Sequence, residues 1–297
     1  EKLEAEGGKY EEIKNATKAG VDIKTDVTND SDTEATGVSV KSTVYNKESD
    51  VISTQTDDIT VAAGKTETIS QSVDVANPKL WSVDSPNLYW VRTEIIQNGK
   101  VVDRTDSRFG IRYIATNPNS GFYLNGVHTK LNGVCEHSDL GSLGMETYQA
   151  AVDRRIRTLK KYGVNAIRTS HNPVSPEFIE ACDRLGMLVF EEAFDQWLYS
   201  KNSDDYHNYF NKAADGKTVV FDKAGNDNTN NDTSYIEVKR EDLQSNAERD
   251  IKAMVDRDKN APCIFAWSTG NEIYDARYKH GENTLDMLTG WVRKKLR

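Results

Sequence analysis

The repeat of the chain changes at Asn117-Pro118-Asn119. Before that point apolar and polar residues alternate in short runs, as in Val21-Asp22-Ile23-Lys24-Thr25-Asp26-Val27, Gly37 to Tyr45 and Leu88 to Ile95. A period of two is the signature of half-buried strands. Turn residues separate the runs at Asn29-Asp30, Ala63-Gly64-Lys65 and Asn98-Gly99. After that point short apolar runs alternate with stretches of helical period. A chain patterned in this way must build two architectures in series, one all-β and one α/β. About seven strands between residues 14 and 115 predict a β-sandwich of immunoglobulin type. No cysteine pair falls in it, so its core is expected to hold by packing alone. Trp81 and Trp90 read as core or interface residues. Residues 1–13 are charged and aperiodic and read as the tail of a preceding domain or a linker.

From residue 116 to 297 the order is a hairpin at Asn125-Gly126, then a buried strand over Val127 to Val134. A helix follows from Glu146 to Tyr162, with Val152, Ile156 and Leu159 at helical spacing and Gly163 closing it. Ala166 to His171 is a strand, Pro176 to Leu185 a helix and Met187 to Glu192 a strand. A long segment from Leu198 to Tyr235 holds the polar run Asn226 to Asp232, which reads as a mobile loop. Val238 to Asp258 is a helix. Cys263-Ile264-Phe265-Ala266-Trp267-Ser268 is a short buried strand fenced by Pro262 and Gly270, and Thr284 to Arg297 is a last helix. Four strand–helix alternations imply a parallel sheet with right-handed crossovers. Spacing alone fits a doubly wound sheet or half of an eight-fold barrel. No glycine-rich phosphate loop follows any strand.

Composition narrows the function. The net charge is −9 over 297 residues, which speaks against a nucleic-acid partner or an anionic membrane surface. No apolar run has the length of a membrane span. The chain opens on Glu1 with no visible leader, which suggests a piece of a longer or processed product; no compartment is assigned. The three cysteines, Cys135, Cys182 and Cys263, fit no zinc or disulfide spacing and read as reduced core residues.

All four strands of the second half end in polar residues of one kind. The first ends in Glu136-His137-Ser138-Asp139, the second in Arg168-Thr169-Ser170-His171, the third in Glu192-Ala193-Phe194-Asp195-Gln196-Trp197 and the fourth in Asn271-Glu272. Each has a plain alternative. His137 and His171 read equally as satisfied histidines, Arg168 as a counter-ion, Asp195 as a turn cap, Trp197 as a lid over the core and Glu272 as a helix cap. Together, carboxylates with an aromatic platform suit a polyhydroxylated substrate. No His pair sits at metal-binding spacing, and no cofactor is expected.

Several stretches resemble glycoside hydrolase family two, the β-galactosidase/β-glucuronidase family. They are Asn77-Pro78-Lys79-Leu80-Trp81-Ser82, Arg108-Phe109-Gly110-Ile111-Arg112, Gly121 to Gly126, Ile167 to Pro173 and Trp267-Ser268-Thr269-Gly270-Asn271-Glu272. The resemblance implies an immunoglobulin-like sandwich followed by a TIM barrel of which about the first four βα units are present. It implies hydrolysis of β-glycosides with retention. On it, Glu272 is the general acid/base and Asn271 binds the sugar 2-hydroxyl. His171 and Arg168 line the glycone rim, and His137 contacts substrate with Asp139 nearby. Asp195 and Trp197 fall where some members hold magnesium, and Trp197 departs from that pattern, so no metal is expected. The sugar itself stays open among galactosides, glucuronides and mannosides. An acid of this kind needs a raised pKa, which a second carboxylate supplies; in retaining enzymes that partner is a nucleophile roughly 5 Å away. The family places it on a seventh strand. Residues 116–297 are shorter than the about 250 of a whole barrel, so the nucleophile is expected beyond this chain, with no turnover from the chain alone. Open strand edges favour association into a homo-oligomer, or disorder. The alternative is a non-catalytic carbohydrate-binding or scaffold protein on a hydrolase frame.

Overall fold

The computed structural model describes residues 2–197, 201, 245–277 and 279–296. The polar run Asn226 to Asp232 and residues 238–244 of the expected third helix lie outside them. The chain divides into two compact units. The first takes in residues up to Leu131 with the short segments Asp183–Gly186 and Asn260–Pro262; the second takes in the remainder.

In the first unit, β1 (Lys2–Gly8), β2 (Glu11–Thr28) and β5 (Thr66–Ala76) form one antiparallel sheet. β3 (Ala35–Tyr45), β4 (Val51–Val61), β6 (Tyr89–Gln97) and β7 (Lys100–Phe109) form a second, in the order β4-β3-β6-β7. Ala19, Val21, Val73 and Val75 of the first sheet pack on Val44, Tyr89 and Val91 of the second. This is the expected immunoglobulin-like sandwich. Trp81 is fully buried.

One expectation is corrected here. The first residues do not run as a free tail: β1 pairs antiparallel with the start of the long β2, from Lys2 with Gly20 to Gly8 with Glu11. Ladder hydrogen bonds need no apolar side chain, so an exposed ribbon shows no hydrophobic period. The core holds by packing without a disulfide, as expected, and the packing includes buried polar groups. The Ser42 hydroxyl donates to Gln71 Oε1 at 2.6 Å, and Gln71 Nε2 donates to the Val40 carbonyl at 3.0 Å and to Asp57 at 2.9 Å. Gln71 sits on one sheet and its partners on the other.

β8 (Ile114–Asn117), β9 (Gly121–Leu124) and β10 (Val127–His128) make a small antiparallel sheet. Asn125 and Gly126 join β9 to β10 with φ of 52° and 75°, the left-handed pair an Asn-Gly hairpin requires.

In the second unit, β11 (Gly133–His137), β12 (Ala166–Ser170), β13 (Leu188–Glu192) and β14 (Ile264–Ser268) are parallel and follow one another in space as in sequence. A doubly wound sheet reverses its order at a switch point; a barrel does not. The sequential order therefore decides for a partial barrel. Among the described residues the α-helices are α1 (Gln149–Lys161), α2 (Pro176–Leu185), α3 (Asn246–Asp258) and α4 (Lys279–Lys295). The Ser245 hydroxyl accepts from the Glu248 amide at 3.1 Å and caps α3. Ala247, Ile251, Met254 and Val255 of α3 pack with Phe194, Leu288 and Val292. The strand expected over Val127 to Val134 instead divides between β10 and β11. β11 is not buried: Cys135 is exposed, while Cys182 and Cys263 are buried. Among the described residues β11 is an edge, and Cys135 lies on the face that carries His137.

β13 carries a second carboxyl on the face opposite Glu192. Glu191 is fully buried, and its Oε2 has no hydrogen-bond donor. Burial, then the neighbouring Asp258 carboxyl, push its pKa up to about 9 against the opposing charge of Arg257. In the unfolded chain the group titrates near 4.5. Between these values the unfolded state sheds the proton that the folded state keeps, so stability is full below about pH 4.5 and falls as pH rises toward about 9. Glu191→Gln is expected to flatten the alkaline decline of the melting temperature between pH 6 and 9. An unchanged slope in that variant would show that the proton is held elsewhere.

Candidate active site

The site forms at the C-terminal ends of the four parallel strands, where a barrel carries its chemistry. Its centre is Glu192, a carboxylate only 1% exposed at the end of β13. Arg168 on β12 donates to it from Nε at 3.1 Å and from Nη2 at 3.0 and 2.9 Å. His171 Nδ1 lies 2.6 Å from its Oε1, and the Ser268 hydroxyl donates to Oε2 at 2.6 Å. The Glu192 amide donates to Thr169 Oγ1 at 2.9 Å. A buried carboxylate is tolerated only when its lone pairs are filled in this way. Partial burial works against the Arg168 cation, and Glu192 more than offsets it, so the guanidinium is held above its ordinary pKa.

Arg168 passes the order on. Its Nη2 also donates to Asn271 Oδ1 at 2.8 Å, and Asn271 Nδ2 donates to Asp195 Oδ1 at 2.9 Å. Lys201 Nζ donates to Asp195 at 2.7 Å and lies 3.4 Å from Glu272 Oε2. Burial alone would raise Asp195; the hydrogen bonds from Lys201 and Asn271 outweigh it and hold the carboxyl below its usual range. Glu272 sits at φ 46°, a conformation that costs an L-residue roughly 1–2 kcal/mol. That turn leaves its side chain 74% exposed at the rim. His137 meets His171 edge-on, with ring centroids 5.3 Å apart.

Two descriptions match this sequence, "Glycosyl hydrolases family 2" over residues 9–112 and "Glycosyl hydrolases family 2, TIM barrel domain" over residues 116–295. The chain belongs to glycosyl hydrolase family 2. Among its relatives is the beta-galactosidase BoGH2A of Bacteroides ovatus, 34% identical over 269 residues, a stretch that is 91% of this chain and 28% of that protein. A beta-glucuronidase of Bacteroides fragilis is 32% identical over 119 residues, 40% of this chain and 17% of that one. The crystal structure of a family 2 member from Bacteroides cellulosilyticus superposes with a TM-score of 0.76 at 31% identity, covering 98% of this chain and 32% of that chain. This family 2 chain thus spans about a third or less of the length of the relatives it matches.

Of the residues singled out in the family 2 sequence, Arg168, His171, Asn271, Asp195 and Glu272 fall in one connected set, with His137 beside it. Asp139 does not join: it is exposed, and its carboxylate accepts from the Gly141 amide at 3.0 Å. Trp197 is no platform for a sugar. It is 3% exposed, packs with Phe194, Ala247 and Ile251, and its indole donates to the Thr269 carbonyl at 2.6 Å. Asp195 and Trp197 do not fit a divalent ion, because the Lys201 ammonium already holds Asp195 and the indole offers no ligand atom. Three residues of the set carry no role in the sequence reading: Glu192, noted there only as a strand-end carboxyl, Ser268 and Lys201. The doublet Glu191-Glu192 ending an apolar strand was the available signal for the first. By alternation one of the two must point inward.

Proposed function

We propose that this chain carries the acid–base half of a retaining β-glycoside hydrolase site. Glu272 is the general acid that protonates the leaving glycosidic oxygen and then the base that activates water. Asn271, anchored between Arg168 and Asp195, presents its amide to a sugar hydroxyl. His171 and His137 line the glycone side. The observation that carries this reading is the Asn271-Glu272 pair at the end of β14, with the Glu272 carboxyl exposed on a rim ordered by Arg168. The relatives named as a beta-galactosidase and a beta-glucuronidase support the substrate class, a β-linked glycoside.

Within the connected set around Arg168 no second carboxylate is free to attack a sugar. Glu192 is buried and fully engaged, and Asp195 is held by Asn271 and Lys201. The family resemblance, which puts the nucleophile on a seventh strand, assigns it to sequence outside this chain. The chain alone is expected to release no p-nitrophenol from p-nitrophenyl β-galactoside or β-glucuronide. Turnover that disappears in Glu272→Gln would overturn that assignment.

A further inference from the structure

We propose that the outer face of the sandwich holds a second saccharide-binding site, built from Tyr45, Trp90, Arg92 and Asp106. Tyr89 and Val91 of β6 and Val44 of β3 face the core. Alternation then turns Trp90, Arg92 and Tyr45 to the opposite face. Tyr45 pairs with Trp90 across β3 and β6, and Arg92 pairs with Asp106 across β6 and β7. The four side chains line one open depression of about 350 Å³, with Asn46, Lys47 and Ser49 at its edge.

The polar groups are fixed and only partly used. Arg92 donates to Asp106 from Nε at 2.8 Å and from Nη2 at 3.0 Å, and its guanidinium lies 5.6 Å from the Tyr45 ring centroid. This double hold locks the fork. Arg92 Nη1, the Trp90 indole N–H and the Tyr45 hydroxyl have no protein partner among the described residues. The Arg92 hydrogen bond keeps Asp106 below its usual range, and so ionised as an acceptor. Two half-exposed aromatic rings beside a rigid donor–acceptor pair suit a pyranose. The rings pack on its C–H face, and the fork and carboxylate reach adjacent equatorial hydroxyls. A pair serving only sheet stability would need neither the spare donors nor the depression. The choice of a glycan rests on the glycosidase reading above; the location does not.

The test uses the chain itself and a β-1,4-galactotetraose probe, followed by NMR at the Trp90 indole N–H and by calorimetry. Binding is expected to move the Trp90 indole signal. Tyr45→Ser, a change on the outer face of the sheet, and Trp90→Ala should each weaken binding by tenfold or more with melting temperature held. Glu272→Gln should leave the shift of the Trp90 indole signal unchanged. Binding that survives both sandwich variants, or no binding at all, overturns the site. Loss of binding in Glu272→Gln alone also overturns it and leaves the rim as the only glycan site. Turnover bears on the glycosidase reading and is measured separately.

Discussion

Replacing Glu192 by leucine is expected to lower the unfolding free energy by about 3 kcal/mol. Removing one partner of a buried ion pair typically costs about 3–5 kcal/mol. The low end applies because the Arg168 side chain is 32% exposed and water recovers part of the loss. The variant strips Arg168, His171 and Ser268 of a common acceptor in one step. Urea denaturation at constant slope is the measurement, since a shifted midpoint alone then reports stability. Adding Arg168→Met to Glu192→Leu should restore part of the loss, because no uncompensated cation then remains. A midpoint that moves by less than the equivalent of about 1 kcal/mol would mean that the network orders the rim without carrying stability.

In a complete family 2 enzyme containing this chain, Glu272→Gln is expected to reduce kcat/KM for an alkyl β-glycoside by about 10²- to 10⁴-fold, the usual worth of a positioned general acid. Substrates whose leaving group needs no proton, such as 2,4-dinitrophenyl glycosides, should lose far less. A loss independent of the leaving group would remove the acid role from Glu272. Folding stability should be nearly unchanged, because the side chain is 74% exposed, its contact with Lys201 is long at 3.4 Å, and Lys201 keeps its 2.7 Å bond to Asp195. Glu192→Leu and Glu272→Gln therefore separate cleanly: one acts on the folded rim, the other on the proton transfer.

What could be read from the residues follows from how directly each depends on a local rule. The switch from period two to strand–helix alternation located both architectures, because side-chain direction is set by the backbone within a few residues. The rim residues Arg168, His171, Asn271 and Glu272 were legible because each ends a strand and joins a distinctive motif. The ribbon over residues 2–11 was not, because its pairing rests on backbone groups that every residue carries. Glu192 drew no role of its own because a carboxyl in an apolar strand looks the same whether it faces helices or a polar rim. Its neighbour Glu191 shows the other outcome, a carboxyl whose pKa is pushed up by burial and by the Asp258 carboxyl beside it. Trp197 was misjudged for a similar reason: an aromatic at a strand end can cover a ligand or a core, and only packing against α3 and α4 decides.

The Gln71 link inside the sandwich has a bearing on how the two sheets find each other. Their facing surfaces are rich in valine: Val21, Val73 and Val75 on one side, Val44 and Val91 on the other. Such surfaces are nearly interchangeable, and sliding one sheet by two residues would keep most of the oil-to-oil match. It would also strand the Gln71 amide and the Ser42 hydroxyl in a dry interior, at about 1–3 kcal/mol for each group left without a partner. The pair thus works as an index mark, tolerating one alignment of two otherwise slippery faces and making its neighbours expensive.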